Sequence, residues 1–65
     1  MIKTNELKGL ITSNNLSQRK VAEMMGITDK TFYLKMKKGV FDSDEIEQLI
    51  SILNIKDPVS IFFAK

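Results

Sequence analysis

The side chains of this 65-residue chain that could take part in chemistry are ten lysines and arginines, eight carboxylates and ten hydroxyls. The chain contains no cysteine and no histidine. This composition excludes disulfides, thiolate nucleophiles, triads built on histidine, and metal sites with cysteine or histidine ligands. A chain of this length also has little room for a pocket of the usual ~300–1,000 Å³. We therefore predict that the protein is not an enzyme and that it uses no cofactor, metal ion or small-molecule ligand.

The basic side chains are unevenly distributed along the chain. Residues 1–40 contain eight lysines and arginines against three carboxylates, a net charge of +5, whereas residues 41–65 have a net charge of −3. The two parts together give the formal charge of +2. Such asymmetry is typical of a protein that turns one face toward a polyanion. An ordinary solvated surface would also account for it.

Three carboxylates, Asp44, Glu45 and Glu47, lie close together in the acidic part. A cluster of this kind could bind a metal ion or exchange protons. The simpler interpretation is that these residues begin a helix, because the N-terminal end of the helix dipole favours negative charge. We expect their charge to turn this segment away from nucleic acid phosphates.

The spacing of apolar residues predicts four helices, at residues 4–13, 17–25, 28–37 and 43–54. The last has the clearest periodicity, because apolar residues recur at i, i+3, i+4 and i+7 from Ile46. The polar residues at the beginnings predict N-caps at Thr4 or Asn5, Ser17, Thr28 and Ser43. The residues that tolerate positive φ predict helix ends at Asn14 and Asn15, Gly26, Gly39 and Asn54.

The sequence leaves the structure of the last segment open. Asp57 followed by Pro58 is typical of an N-cap with proline at the first helical position. Residues 59–65 could therefore form a short fifth helix, but their valine, isoleucine and phenylalanines also suit a strand. Together these elements predict one all-α domain of four or five helices that spans residues 1–65.

No apolar run approaches the roughly 18 residues that a membrane-spanning helix needs. The N-terminus also lacks the continuous apolar core of a signal peptide. We therefore expect a cytoplasmic protein that has no membrane partner.

Residues 18–38 have the pattern of a helix-turn-helix. Ala22 is small where two helices would meet closely, Gly26 would turn the chain with positive φ, and Ile27 would fill the corner. Phe32 would hold the second helix of the pair by its inner face. The outer face of that helix would then be free to enter a major groove.

The segment from Gln18 to Phe32 resembles the helix-turn-helix of lambda repressor and Cro-like regulators, the Xre type. Residues 26–36, 44–46 and 61–63 look like those of small phage or prophage regulators of Gram-positive bacteria. The resemblance implies a compact bundle of four or five helices and a sequence-specific DNA-binding transcriptional regulator or repressor. It also implies binding to a palindromic operator as a homodimer, with helix 28–37 in the major groove.

The sequence departs from this family pattern at two positions. Lys35 stands where family members usually have an apolar residue, and Gly39 lies one residue further from Gly26 than is usual. We expect Met36 to take the buried role and Lys35 to lay its aliphatic stem across the edge of the core.

The resemblance implies that the outer face of the third helix contacts bases. Five residues should line it, namely Thr28, Asp29, Lys30, Tyr33 and Leu34. Lys30 could donate to guanine O6 and N7, while Tyr33 and Leu34 could pack on thymine methyl groups. Asp29 could accept from cytosine N4 or only serve the start of the helix. Leu34 could instead be a core residue, and Tyr33 could pack at the rim.

A second set of residues is expected to contact phosphates, which positions a protein without reading sequence. By resemblance, Gln18 at the start of the second helix donates to a phosphate. The other candidates surround the third helix or begin the second: Arg19, Lys20, Thr31, Lys35, Lys37 and Lys38. For the lysines, the alternative is an ordinary solvated turn.

Ile61, Phe62 and Phe63 are consecutive apolar residues that cannot all face one core. We predict that they contribute to a homodimer interface, with Met24 as a second point of contact. The alternative is a tail folded wholly over the core of one protomer. A different function also stays open: a helix-turn-helix can bind a protein, as an antirepressor or antitoxin would, without sequence-specific DNA binding.

Overall fold

Residues 2–63, the part of the chain that the computed structural model describes, form five α-helices and no strand. The helices are α1 (Thr4–Ser13), α2 (Gln18–Met25), α3 (Asp29–Lys38), α4 (Ser43–Leu53) and α5 (Pro58–Phe62). The all-α class is therefore confirmed. The first four helices agree with the predicted segments to within one residue at each end.

The last segment is a helix over the residues that are described. The Asp57 carboxylate accepts a hydrogen bond from the Ser60 backbone N–H at 3.4 Å, and Pro58 occupies the first turn of α5. The Lys3 backbone N–H donates to the Ile61 carbonyl at 2.8 Å, which ties α5 to the N-terminal segment. Residues 64 and 65, included in the predicted tail, lie outside the described part.

Four helices end in the same way. A residue with a left-handed φ between 51° and 76° follows each of them. Gly26, Gly39 and Asn54 come directly after α2, α3 and α4, and Asn15 comes two residues after α1. The N–H of the following residue then donates to the carbonyl five positions earlier, at 3.0–3.1 Å in each case. This arrangement satisfies carbonyls that a helix end would otherwise leave free. The predicted helix ends are thereby confirmed.

Of the N-caps predicted for the first four helices, two are confirmed and two are wrong. The side-chain oxygens of Ser17 and Thr28 accept backbone N–H groups as expected. Lys3, not Thr4 or Asn5, precedes α1 and provides no side-chain cap, because its ammonium group cannot accept a backbone N–H. Asp42, not Ser43, caps α4, because its carboxylate and that of Glu45 accept each other's backbone N–H in a capping box.

α2 lies at the centre of the molecule, where it packs against α1, α3 and α4, while α5 packs against α1. All five helices contribute to one core within overall dimensions of 28 × 23 × 20 Å. The buried apolar residues are Leu7, Ile11, Val21, Ala22, Met25, Phe32, Met36, Phe41, Leu49, Leu53, Ile55, Ile61 and Phe62. Within the described residues, no helix is both long enough and apolar enough to cross a membrane.

Candidate nucleic-acid interface

α2, the turn at Gly26 and α3 form one packed unit. Ala22 is fully buried, and Ile27, just after the turn, packs against the core. Thr28 caps α3, and Phe32 and Met36 are the buried residues on its inner side. The residues predicted to hold α3 in place therefore lie where that role requires.

Phe41, which the sequence pattern did not identify, also supports α3. Its ring lies 5.8 Å from that of Phe32, centroid to centroid, with the ring planes tilted by 53°. This is an ordinary geometry for an aromatic pair. Phe41 directly precedes the Asp42 cap, and Ile46 lies four residues after that cap. Apolar residues at these two positions form the pattern of a hydrophobic staple. That pattern could have identified Phe41 once Asp42 was recognised as the cap.

The outer side of α3 carries Lys30, Tyr33 and Leu34, and all three are exposed. Tyr33 is 59% exposed and Leu34 is 44% exposed, so neither belongs to the core. Their spacing of three and four residues places them on one face of the helix. The structure thus brings together an amine, an aromatic ring with a hydroxyl, and an aliphatic side chain on one exposed surface.

The two threonines at the start of α3 bond to each other. Thr28 Oγ1 accepts the Thr31 backbone N–H at 3.1 Å and donates to Thr31 Oγ1 at 2.9 Å. Thr28 is therefore engaged at the start of the helix, and the exposed Thr31 hydroxyl lies beside it.

The starts of α2 and α3 lie next to each other. Arg19 Nε is 3.7 Å from Asp29 Oδ2, with both side chains well exposed. Lys20 pairs with Glu23 within α2 at 3.6 Å, and Gln18 is half-buried. Exposed pairs of this length contribute little to stability. The Arg19 charge nevertheless offsets the Asp29 carboxylate on a surface that was predicted to face DNA.

The lysines at the end of α3 fall into two kinds. Lys37 and Lys38 are exposed and form no ion pair with any other residue between 2 and 63. Lys35 is half-buried, and its Nζ lies 3.0 Å from Glu45 Oε1. The predicted path of its stem along the edge of the core is consistent with this burial. Its charge, however, is directed at α4, although we predicted a phosphate contact for it.

The acidic start of α4 has no arrangement suited to a metal ion. Glu45 is committed to the capping box and to Lys35. Across residues 2–63, no group of three or more acidic, histidine or cysteine side chains could hold a metal ion. We expected this acidic segment to turn away from nucleic acid phosphates. Glu45 lies instead beside the last turn of α3, where the Lys35 ammonium group balances its charge.

The apolar tail is divided between the core and the surface. Ile61 and Phe62 are buried in the core of the protomer, because α5 packs against α1. Phe63 is 61% exposed, so it is the member of the predicted interface that is turned outward. Met24 is also exposed, as expected for a second point of contact. Val40 and Val59, which the sequence analysis did not consider as surface residues, are exposed as well.

Comparison with known proteins gives no relative: no protein-family model, no curated protein and no solved structure matches the chain. What the protein does is therefore inferred from its own residues and their arrangement.

Proposed function

We propose that the protein is a sequence-specific DNA-binding transcriptional regulator of the lambda repressor and Cro-like type, with α3 in the major groove. The observation that carries the proposal is α3 itself. Phe32 and Met36 fix its inner side in the core, while Lys30, Tyr33 and Leu34 stand exposed on the outer side. A helix of this kind fits a major groove about 12 Å wide, where base edges offer acceptors and thymine methyl groups.

The polar groups around α3 suit a phosphate backbone. Lys37 and Lys38 follow the exposed face toward the end of the helix, and Thr31 presents an exposed hydroxyl near its start. Arg19 and Lys20 extend the basic surface to the start of α2, next to Gln18. Cations and hydroxyls in such positions orient a protein on a duplex without reading its sequence.

The proposal includes a homodimer, a palindromic operator and a cytoplasmic location. The exposed side chains of Phe63 and Met24 are available for a second copy. Two copies related by a twofold axis would present two α3 helices to half-sites about 34 Å apart, or one turn of DNA. Binding of this kind would repress transcription by occluding a promoter.

Salt dependence of duplex binding tests the electrostatic part of the proposal. The probe is a fluorescent random-sequence duplex, titrated at several salt concentrations. A dimer with about six to eight phosphate contacts should show a log–log slope between about −5 and −7. Lys37→Met should make the slope less steep by about 1.8, because one contact is lost from each protomer.

Lys56→Met is the matched control, because Lys56 is an exposed lysine in the turn between α4 and α5. We expect it to leave the slope unchanged. If Lys37→Met and Lys56→Met changed the slope equally, the binding of DNA would depend only on the net charge of the protein and not on the position of Lys37. Failure of the duplex to bind at all would contradict the proposal.

The second candidate is a protein-binding helix-turn-helix module, such as an antirepressor or antitoxin. Leu34 and Met24 favour it, because both are large apolar side chains that are close to half exposed on α3 and α2. Capture of a protein partner that is lost with Leu34→Lys, by a chain that does not retain duplex DNA, would establish this alternative.

A further inference from the structure

Lys35 differs from the other lysines of α3 in where its ammonium group lies. Its side chain is only 30% exposed, and Nζ lies 3.0 Å from Oε1 of Glu45, whose side chain is 12% exposed. Lys37 and Lys38 are exposed on the same helix. The Lys35 charge is thus already matched inside the protomer.

The oxygen that accepts from Lys35 has a second partner. Glu45 Oε1 also accepts the backbone N–H of Asp42 at 3.0 Å, and Asp42 Oδ1 accepts the backbone N–H of Glu45 at 2.8 Å. A single carboxylate oxygen therefore joins the last turn of α3 to the first turn of α4.

The backbone of Lys35 is held at the same place. Its carbonyl accepts the N–H groups of Gly39 and Val40 at 2.8 and 3.1 Å, in the turn that ends α3. α4 is in turn fixed by its buried residues Leu49 and Leu53 and by its packing on α2. The pair thus connects the end of α3 to a helix that is itself anchored in the core.

We propose that Lys35 and Glu45 form a positioning pair that fixes the end of α3 and so orients the whole helix for base recognition, and that Lys35 is not a phosphate ligand. The inference rests on the proposed function. It replaces our prediction that Lys35 contacts a phosphate. Lys35 and Glu45 would act on DNA only through the orientation of the exposed residues on α3.

Burial argues against the alternative in which Lys35 leaves Glu45 to bind a phosphate. That movement would leave the Glu45 carboxylate mostly buried and without its cation. Removing one partner of a partly buried ion pair is destabilising, because the Glu45 carboxylate would stay mostly out of water with only the Asp42 N–H to compensate its charge. Lys37 and Lys38 can approach a phosphate without this cost.

The pair itself is tested by a double-mutant cycle in urea unfolding. Lys35→Met keeps the stem and removes the charge, while Glu45→Gln keeps an oxygen for the Asp42 N–H. We expect the two substitutions to be non-additive, with a coupling factor of about fivefold or more in the unfolding constant. The control cycle, Lys37→Met with Glu45→Gln, should be additive. Additive effects of Lys35→Met and Glu45→Gln would show that the two side chains do not interact and would overturn the proposed pair.

The positioning role is tested by a ratio of affinities. The affinity for a duplex selected from a random pool is divided by the affinity for the unselected pool, so that effects of net charge largely cancel. Both Lys35→Met and Glu45→Gln should lower this ratio by about threefold or more, whereas Lys37→Met should leave it unchanged. All measurements are made under conditions where each variant is fully folded.

Glu45→Gln gives the decisive result, because it removes no positive charge. A ratio that is unchanged or higher would overturn the positioning role, since Lys35 would then be a phosphate ligand or a purely structural residue. A wild-type protein that binds every sequence equally would refute the proposed function, and the positioning role with it. The unfolding cycle does not depend on DNA, so it separates that failure from a failure of the pair.

Discussion

Lys30 is the basic residue on the exposed face of α3 whose surroundings best suit a base contact. It lies between the capped start of the helix and the exposed Tyr33 and Leu34. Its position followed from sequence, because an outward face is fixed once Phe32 is assigned to the core.

The role of Glu45 could not be predicted in this way, since its contact with Lys35 joins two helices across a turn. Local patterns do not contain such a contact.

Caps show how far single residues can be predicted. The predicted caps Ser17 and Thr28 were correct, because each is the polar residue directly before its helix. At α4, three consecutive residues, Asp42, Ser43 and Asp44, can all cap a helix, and periodicity does not choose among them. The reciprocal bond with Glu45 made Asp42 the better cap.

Replacement of Lys30 by alanine tests base recognition at this scale. We expect a loss of about 1–3 kcal/mol of binding free energy at the selected site, with relaxed preference at one base pair in each half-site. Lys38→Ala, the control for a phosphate contact, should weaken binding to all sequences alike. Affinities for single-base variants of the site measure both effects. A uniform loss with Lys30→Ala would make Lys30 a phosphate ligand.

At the scale of elements, the sequence signal was strongest where helices end. Asn and Gly residues at these ends have positive φ, and their types alone indicated it. The tail was ambiguous because valine, isoleucine and phenylalanine suit both a helix and a strand. Its helical state depends on the Asp57 cap and on the bond between the Lys3 N–H and the Ile61 carbonyl. The second of these contacts joins opposite ends of the chain, so no local pattern could supply it.

Two glycines allow a matched test of the turn between α2 and α3. Gly26 has φ +76°, so Gly26→Ala should destabilise the fold by about 1–2 kcal/mol. Gly9 lies inside α1 with open space where a Cβ would be, so Gly9→Ala should stabilise the fold by about 0.5–1 kcal/mol. Urea unfolding of both variants measures the difference. Stabilisation by Gly26→Ala would contradict the left-handed turn.

At the scale of the whole molecule, the all-α class followed from sequence, but the composition of the core followed only in part. Periodicity identified the inner faces of the helices. It did not identify Phe41 and Ile55, which lie between helices and are buried in the common core. Ile61, Phe62 and Phe63 were all predicted to contribute to a homodimer interface, whereas the structure buries Ile61 and Phe62 in the core of the protomer and leaves Phe63 exposed.

Substitutions of Phe62 and Phe63 allow the stability of the fold and the self-association of the protein to be tested separately. Phe62 is buried, so Phe62→Ala should destabilise the fold by about 3–5 kcal/mol. Phe63→Ser should change stability by no more than about 0.5 kcal/mol, because the side chain is exposed. In sedimentation, Phe63→Ser should weaken the proposed dimer. A sedimentation profile identical to that of the wild type would remove Phe63 from the interface.

We propose above all that the exposed face of α3 reads DNA sequence. The most direct test is selection from a random-sequence duplex pool at physiological salt, followed by sequencing of the bound fraction. We expect enrichment of a palindrome whose half-sites lie about one helical turn apart. We also expect the palindrome to change at one position in each half-site when Lys30 is replaced by alanine. A bound fraction with no enriched sequence, or no bound fraction at all, would show that α3 does not read sequence.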